Sequence, residues 1–597
     1  MNARRLPSLV PVLLAGLSLA ACAQTSPSPS PSTALGLRAA QSPAAGTADE
    51  AAPPPSQGAS AYGLYLAGEV AIDHGSSRDA ATYFHQASQL DPDTAQIEAR
   101  AFSSALVAGE IARAADAAQR LGDGPEPVQR LGLLTRAVED LAEDRGKQAY
   151  ALLSAKPMGA EHLQAIQLLT PWAAAAAGDW TAAVALPKID GDPIAQGVAT
   201  LGQAELLERA GKLAEAETIY KSRAGGKDGL FTLGYGAFLE RRGRKADAQA
   251  LYAKALLQSP NDLGLKTAQR RVSQNAPALP LPGIREGAAE ALIAPAAMMV
   301  ARREGDNGLA YLRLALRLDQ TLDEAWVLVG DAMNGAGDIA SAKEAYLKVR
   351  PHSDQYIAAR TRMALLAQQS GDKEAALRLT RDMLDVSPND PRPLVVYADL
   401  LRDDERFPEA VAALNRAIGN TPEAEVGWSL YYERGAAEER SGDWPSAEAD
   451  LKKALKLKPN EPEVLNYLGY AWADRGEHLK EALSMLEMAA ALEPRSGAIV
   501  DSLGWARYRV HQYGDALRDL EHAVTLEPAD PEVNSHLGDV YWRLGRRLEA
   551  RFQWQRVLTL DPDAKIKAAA QLKLAQGLGP DAGPILPSAA ARGAPAP

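Results

Sequence analysis

Small, apolar and polar positions recur in the second half of the chain with a period too long for one helix and too regular for chance. A glycine is followed, after a gap, by Gly, Ala, a bulky residue, Ala and Pro. The first glycines fall at Gly435, Gly469, Gly504 and Gly538, and the closing prolines at Pro459, Pro494, Pro528 and Pro562. The interval is 34 residues, once 35; the extra residue lies within 477–480, between Gly476 and Ala482, where a turn tolerates an insertion best. This spacing predicts pairs of short antiparallel helices. Gly at the eighth place and Ala at the twentieth and twenty-seventh let the two helices of a pair approach closely. The bulky twenty-fourth residue fills the gap to the next pair, and the proline ends the second helix.

The same grammar extends backwards less cleanly. Trp326, Gly330, Gly337, Ala342 and Tyr346 form one unit, and Gly371, Ala376 and Pro388 mark the next. Upstream, Gly236, Gly243, Ala248, Tyr252, Ala255 and Pro260 repeat it, as do Gly68, Ala80, Phe84, Ala87 and Pro92. Between about 95 and 225 the units are degenerate, yet Gly178 with Ala183, and Gly211 with Ala216 and Tyr220, keep the turn and the small residue after it. A Pro-rich run, 277–283, breaks the helical pattern, because proline removes a backbone donor and restricts the residue before it. The expected organisation is an N-terminal degenerate array at 61–272, an interruption at 273–290, a C-terminal array at 291–562, and a capping helix at 563–576. That helix is expected to turn Lys565, Lys567 and Lys573 to water.

Both ends differ in character. Residues 1–21 carry Arg4 and Arg5, then an apolar stretch at 6–20, then Leu19, Ala20 and Ala21 before Cys22, which reads as an export signal. A stretch of fifteen residues falls short of the roughly 20 that cross a bilayer as a helix. Residues 22–60 and 577–597 are rich in Ser, Pro, Ala and Gly and are expected to be a disordered tether and a disordered tail. The tether reaches a few tens of ångströms at about 5–6 Å times the square root of its length.

Composition narrows the function. A formal charge of -12 with no basic stripe argues against nucleic acid, whose phosphates need clustered Lys and Arg. The eight histidines, at 74, 85, 162, 352, 478, 511, 522 and 536, are scattered and read as surface or capping residues; no nucleophile–base set, metal-ligand cluster or phosphate loop is present. No enzyme, cofactor, metal or small-molecule substrate is expected. A glycosyltransferase would need an attached α/β domain, for which the repeats leave no room.

The 34-residue grammar resembles the tetratricopeptide repeat family, which implies an all-α solenoid, a right-handed superhelix of helical hairpins with a concave groove. The tetrad ending in Cys22 resembles a bacterial lipobox, which implies that Cys22 is lipidated and becomes the first mature residue; Ala23 in place of Asp resembles the pattern for transfer to the outer membrane. The runs Leu465 to Trp472, Asp501 to Trp505 and Asn534 to Arg543 are similar to a proteobacterial family of large periplasmic or lipid-anchored tetratricopeptide proteins. That resemblance implies an adaptor that holds a carboxyl-terminal processing protease and brings it substrates, including peptidoglycan hydrolases. The alternative is an accessory for assembly or export of outer-membrane, pilus or polysaccharide machinery.

Spacing singles out one side of the last three repeats. The fifth, ninth and twelfth positions of the first helix are four and three apart and so share a side. They are Asn466, Tyr470 and Ala473; Asp501, Trp505 and Tyr508; and Ser535, Asp539 and Trp542. With Arg509 and Arg543 they combine flat apolar anchors with directional polar groups, the mixture enriched at protein interfaces. Asn466, Tyr470, Asp501, Trp505, Tyr508, Arg509, Asp539, Trp542 and Arg543 are therefore the candidate protein-binding surface. The packing slots are assigned to Leu503, Gly504, Leu520, Gly538, Tyr541 and Trp554, and Tyr467 and Trp472 are expected in the core.

Overall fold

The computed structural model describes residues 59–121, 126–155, 162–189, 191–224, 229–259, 262–301, 305–351 and 353–579. The signal segment, Cys22, the tether up to residue 58 and the tail from residue 580 lie outside the described residues. Among the described residues there are thirty α-helices and no strand. None of these helices is long and apolar enough to cross a membrane.

The chain divides into two compact units, Met1–Met363 and Ala364–Pro597. The first holds six hairpins: α1 (Ala61–Asp73) with α2 (Ser77–Leu90), α3 (Ala95–Ala108) with α4 (Ile111–Ala118), α5 (Glu126–Ala142) with α6 (Gly146–Ser154), α7 (Leu163–Ala177) with α8 (Trp180–Ala183), α9 (Pro193–Arg209) with α10 (Leu213–Arg223), and α11 (Gly229–Arg241) with α12 (Lys245–Gln258). A single helix, α13 (Leu263–Ser273), precedes two further hairpins, α14 (Ile284–Ala301) with α15 (Gly305–Leu318) and α16 (Asp323–Gly335) with α17 (Ile339–Lys348). The division falls inside α18 (Tyr356–Gln369).

The second unit continues with α19 (Lys373–Val386), then five hairpins and a last helix. The first four hairpins are α20 (Pro391–Asp403) with α21 (Phe407–Asn420), α22 (Trp428–Ser441) with α23 (Trp444–Leu457), α24 (Pro462–Arg475) with α25 (Leu479–Leu492), and α26 (Gly497–Arg509) with α27 (Tyr513–Leu526). The final pair, α28 (Pro531–Arg543) with α29 (Arg547–Val557), is followed by α30 (Ala564–Gln576).

The glycines do what their spacing requires. A Cβ added at Gly236 or Gly330 would come within 2.2 Å of the Tyr252 or Tyr346 ring, and one at Gly538 within 2.5 Å of Trp554. Asp530 sets the start of α28: it accepts from the Glu532 and Val533 amides, with Pro531 in the first turn. Gly442 and Gly476 close α22 and α24 in the left-handed region, at φ 92° and 73°.

The first unit departs from the expected division. The two compact units do not divide at the Pro-rich run. Instead, α14 packs on α7 and α9, and α15 on α3 and α5, so this hairpin lies against the first helices of four successive repeats. Ala288, Ala289, Leu292 and Ala296 are all fully buried, and a helix that is apolar all round must bury all round. A Cβ at Gly287 would overlap the Trp172 ring at 2.1 Å. Polar anchors fix the hairpin: Arg313 Nε donates to the Val107 carbonyl at 3.0 Å, Arg317 grips Glu139 through two bonds of 2.8 and 3.0 Å, and His162 Nδ1 meets the Tyr311 hydroxyl at 2.6 Å. The same unit also joins its ends, because Asp338 Oδ2 accepts from the Ser77 amide at 3.0 Å.

Candidate functional site

In the second unit the repeat slots are filled as their positions require. Gly469 faces Leu486, Gly504 faces Leu520 and Gly538 faces Trp554. Leu503, Leu520, Tyr541 and Trp554 are buried, as are Tyr467 and Trp472. The fifth, ninth and twelfth positions of α24, α26 and α28 are then left to form a second layer on the other side of these helices.

That layer is a connected set of polar and aromatic groups. Asp501 lies 2.9 Å from His536 Nδ1. The Trp505 ring is stacked between the His536 ring, at 4.2 Å and 16°, and the Tyr508 ring, at 4.8 Å and 10°. The Tyr508 hydroxyl accepts from Arg543 Nε at 3.2 Å, and the Tyr470 hydroxyl donates to Glu532 at 3.2 Å, two repeats on. Asp539 accepts from Lys573 Nζ at 2.7 Å and from Trp554 Nε1 at 2.9 Å, and Lys573 also donates to Ser535 at 2.9 Å.

Of the nine candidate residues, Asn466, Asp501, Trp505, Tyr508 and Asp539 are buried, while Tyr470, Arg509, Trp542 and Arg543 are partly exposed. Chain from beyond α30 lies on two of the latter: Trp542 Nε1 donates to the Leu578 carbonyl at 3.1 Å, and Arg543 Nη1 to that of Gly579 at 2.6 Å. Trp505 Nε1 and Asn466 Oδ1 are buried without a hydrogen-bond partner among the described residues. Such groups cost free energy unless something meets them.

Two partners in this layer differ from their expected place. Lys573 is not turned to water; it enters the layer and neutralises Asp539, because a buried carboxylate requires a cation. His536 is neither a surface nor a capping residue but the buried partner of Asp501. The signal for both was the pair Asp501 and Asp539 on an inward face. His162 is likewise buried, although it does stand in the capping position before α7.

Burial by itself lowers the affinity of His536 for a proton, but the Asp501 carboxylate beside it outweighs burial and holds the imidazole up to about 9. A raised folded value contributes stability that is fully present below the ordinary value near 6.5 and is lost as pH rises through about 9. Thermal melts followed by hydrogen exchange in α26 and α28 should therefore show this region weakening between those pH values. A His536→Gln variant should lose that pH dependence. The Tyr508 hydroxyl is pushed up to about 12 by burial and by Asp539, so it stays protonated.

Residues 284–561 match the model of the tetratricopeptide repeat family. A TPR repeat-containing protein of Pseudomonas aeruginosa is 28% identical over 197 residues, 33% of this chain and 33% of the relative. The match thus spans about a third of the length of that curated relative. Among solved structures, the Cut9–Hcn1 hetero-tetramer of APC/C is similar at 14% identity over 86% of this chain and 96% of its own, with a TM-score of 0.38. YrrB, described as a TPR protein with an unusual peptide-binding site, is 18% identical over 32% of this chain and 97% of its own, with a TM-score of 0.26. The glycine-to-ring packing and the helical hairpins agree with this match: residues 284–561 fold as a tetratricopeptide-repeat solenoid, a build that implies a scaffold for protein–protein interaction.

Proposed function

We propose that the protein is a lipid-anchored adaptor of the cell envelope, which holds a soluble periplasmic protease and its substrates at the membrane through the layer formed by α24, α26 and α28. The observation that carries this reading is the state of the two units. Four first helices of the N-terminal array, α3, α5, α7 and α9, are covered by the chain's own α14–α15 hairpin. The C-terminal layer keeps Tyr470 and Arg509 partly exposed, and it also holds the buried, unpartnered Trp505 Nε1 and Asn466 Oδ1. Aromatic and arginine side chains in one layer with unsatisfied polar atoms suit a peptide segment that brings both flat apolar and hydrogen-bonding groups. The resemblance of the runs around Tyr470, Trp505 and Trp542 to protease adaptors supports the choice of partner, and the tetrad before Cys22 supports the anchor.

The two halves of the proposal are tested together by fractionating cells that carry the wild-type chain or Cys22→Ser. A soluble protease should co-purify with the wild-type chain in the membrane fraction, and both should move to the soluble fraction or stay unprocessed with Cys22→Ser. Recovery of an export complex in place of a protease, or normal membrane recovery of Cys22→Ser at mature size, would overturn it.

A further inference from the structure

The outer side of the last hairpin breaks the rule that its neighbours follow. Leu548 and Phe552 are 82% and 70% exposed, four residues apart on one side of α29, and Leu544 just before the helix is exposed as well. The corresponding positions are Gly514 and Arg518 in α27 and Lys480 and Ser484 in α25. Repeat packing therefore places no demand for large apolar residues there, and the inward slots of α29 are already taken by Ala550, Trp554 and Val557.

The charge around this pair is also unlike the rest of the chain. Residues 543–573 hold eight Lys and Arg against three Asp and Glu, in a protein whose formal charge is -12. Arg547 and Arg551 repeat the four-residue spacing beside Leu548 and Phe552. Among the described residues their contacts are not with carboxylates: Arg547 lies over the Trp542 ring at 5.1 Å, Arg551 donates to the Leu574 carbonyl at 2.8 Å, and Arg556 to that of Pro528 at 2.9 Å. Arg547 and Arg551 are exposed and Arg556 is half-buried. Lys565 and Lys567 on α30, which packs on α29, add to the same end of the unit.

We infer that the outer face of α29 docks on an anionic lipid surface, giving the protein a membrane contact separate from its N-terminus. Two apolar side chains on one side of a helix offer too little area for a stable protein interface, which needs about 800 Å² a side. A fluid headgroup layer moulds itself to the surface it meets. It takes in Leu548 and Phe552, while Arg547, Arg551 and Arg556 bind lipid phosphates. A basic patch paired with a lipid chain is also a combination that makes anchoring firm where one signal alone is marginal.

The test uses the chain from Ala23 onward, which keeps every described residue and lacks Cys22, in sedimentation with vesicles. It should sediment with vesicles of equal phosphatidylglycerol and phosphatidylcholine, remain in solution with phosphatidylcholine alone, and be released by high salt. Leu548→Ser with Phe552→Ser, and separately Arg547→Glu with Arg551→Glu, should each lower the partition about tenfold or more at unchanged helicity. Equal sedimentation of both variants and wild type would overturn the inference. So would absence of binding to anionic vesicles, or binding to polyglutamate without binding to vesicles, which would assign the patch to an acidic protein.

Discussion

Replacing Trp554 by alanine is expected to cost about 3–5 kcal/mol, the largest effect of any single truncation in the last repeats. Trp554 is wholly buried, fills the space left by Gly538, and lies at 5.3 Å from the Trp542 ring. Its indole nitrogen also satisfies Asp539, so the variant leaves both a cavity and a carboxylate oxygen short of a donor. In a repeat array each hairpin is held only by its neighbours, so a loss this large at one end unravels that end first. Hydrogen exchange should show α28, α29 and α30 losing protection while the hairpins of the first unit keep theirs. A uniform loss across the whole chain would show that the end repeats are not an independent cooperative segment.

Lys573→Met should destabilise the same end by about 3–5 kcal/mol, because it strands the buried Asp539 carboxylate without its cation. The aliphatic stem is kept, so lost packing is a small part of the effect. Adding Asp539→Asn removes the stranded charge and should recover most of the loss. Chemical denaturation of the wild type, Lys573→Met and the double variant checks this, and equal stability of the two variants would show that the ion pair is not what holds α30 in place.

The repeats were legible in the sequence because their packing is written in residue size. Gly538 against Trp554 and Gly236 against Tyr252 each require a missing Cβ, and a requirement of that kind recurs wherever the hairpin does. The fate of α14 and α15 was not legible. Prolines at 277–283 mark only where a helix stops, and the all-round apolar character of Ala288, Ala289, Leu292 and Ala296 says that α14 is buried without saying against what. The candidate layer was half legible. Helical spacing placed Asn466, Tyr470, Asp501, Trp505, Tyr508, Asp539 and Trp542 on one side, and the structure joins Trp505 to Tyr508 in one stack. Spacing within one helix gives no depth, however. How far each side chain is covered depends on Glu532, His536 and Lys573, which reach in from other helices.

Site-specific photocrosslinking in intact cells tests the central claim most directly, with the crosslinking residue placed at Arg509 on the candidate layer or at Arg518 on the outer side of α27. A protein adduct at position 509, with none at position 518, is the result the account predicts. No adduct at 509, or the same adducts at both positions, would contradict it.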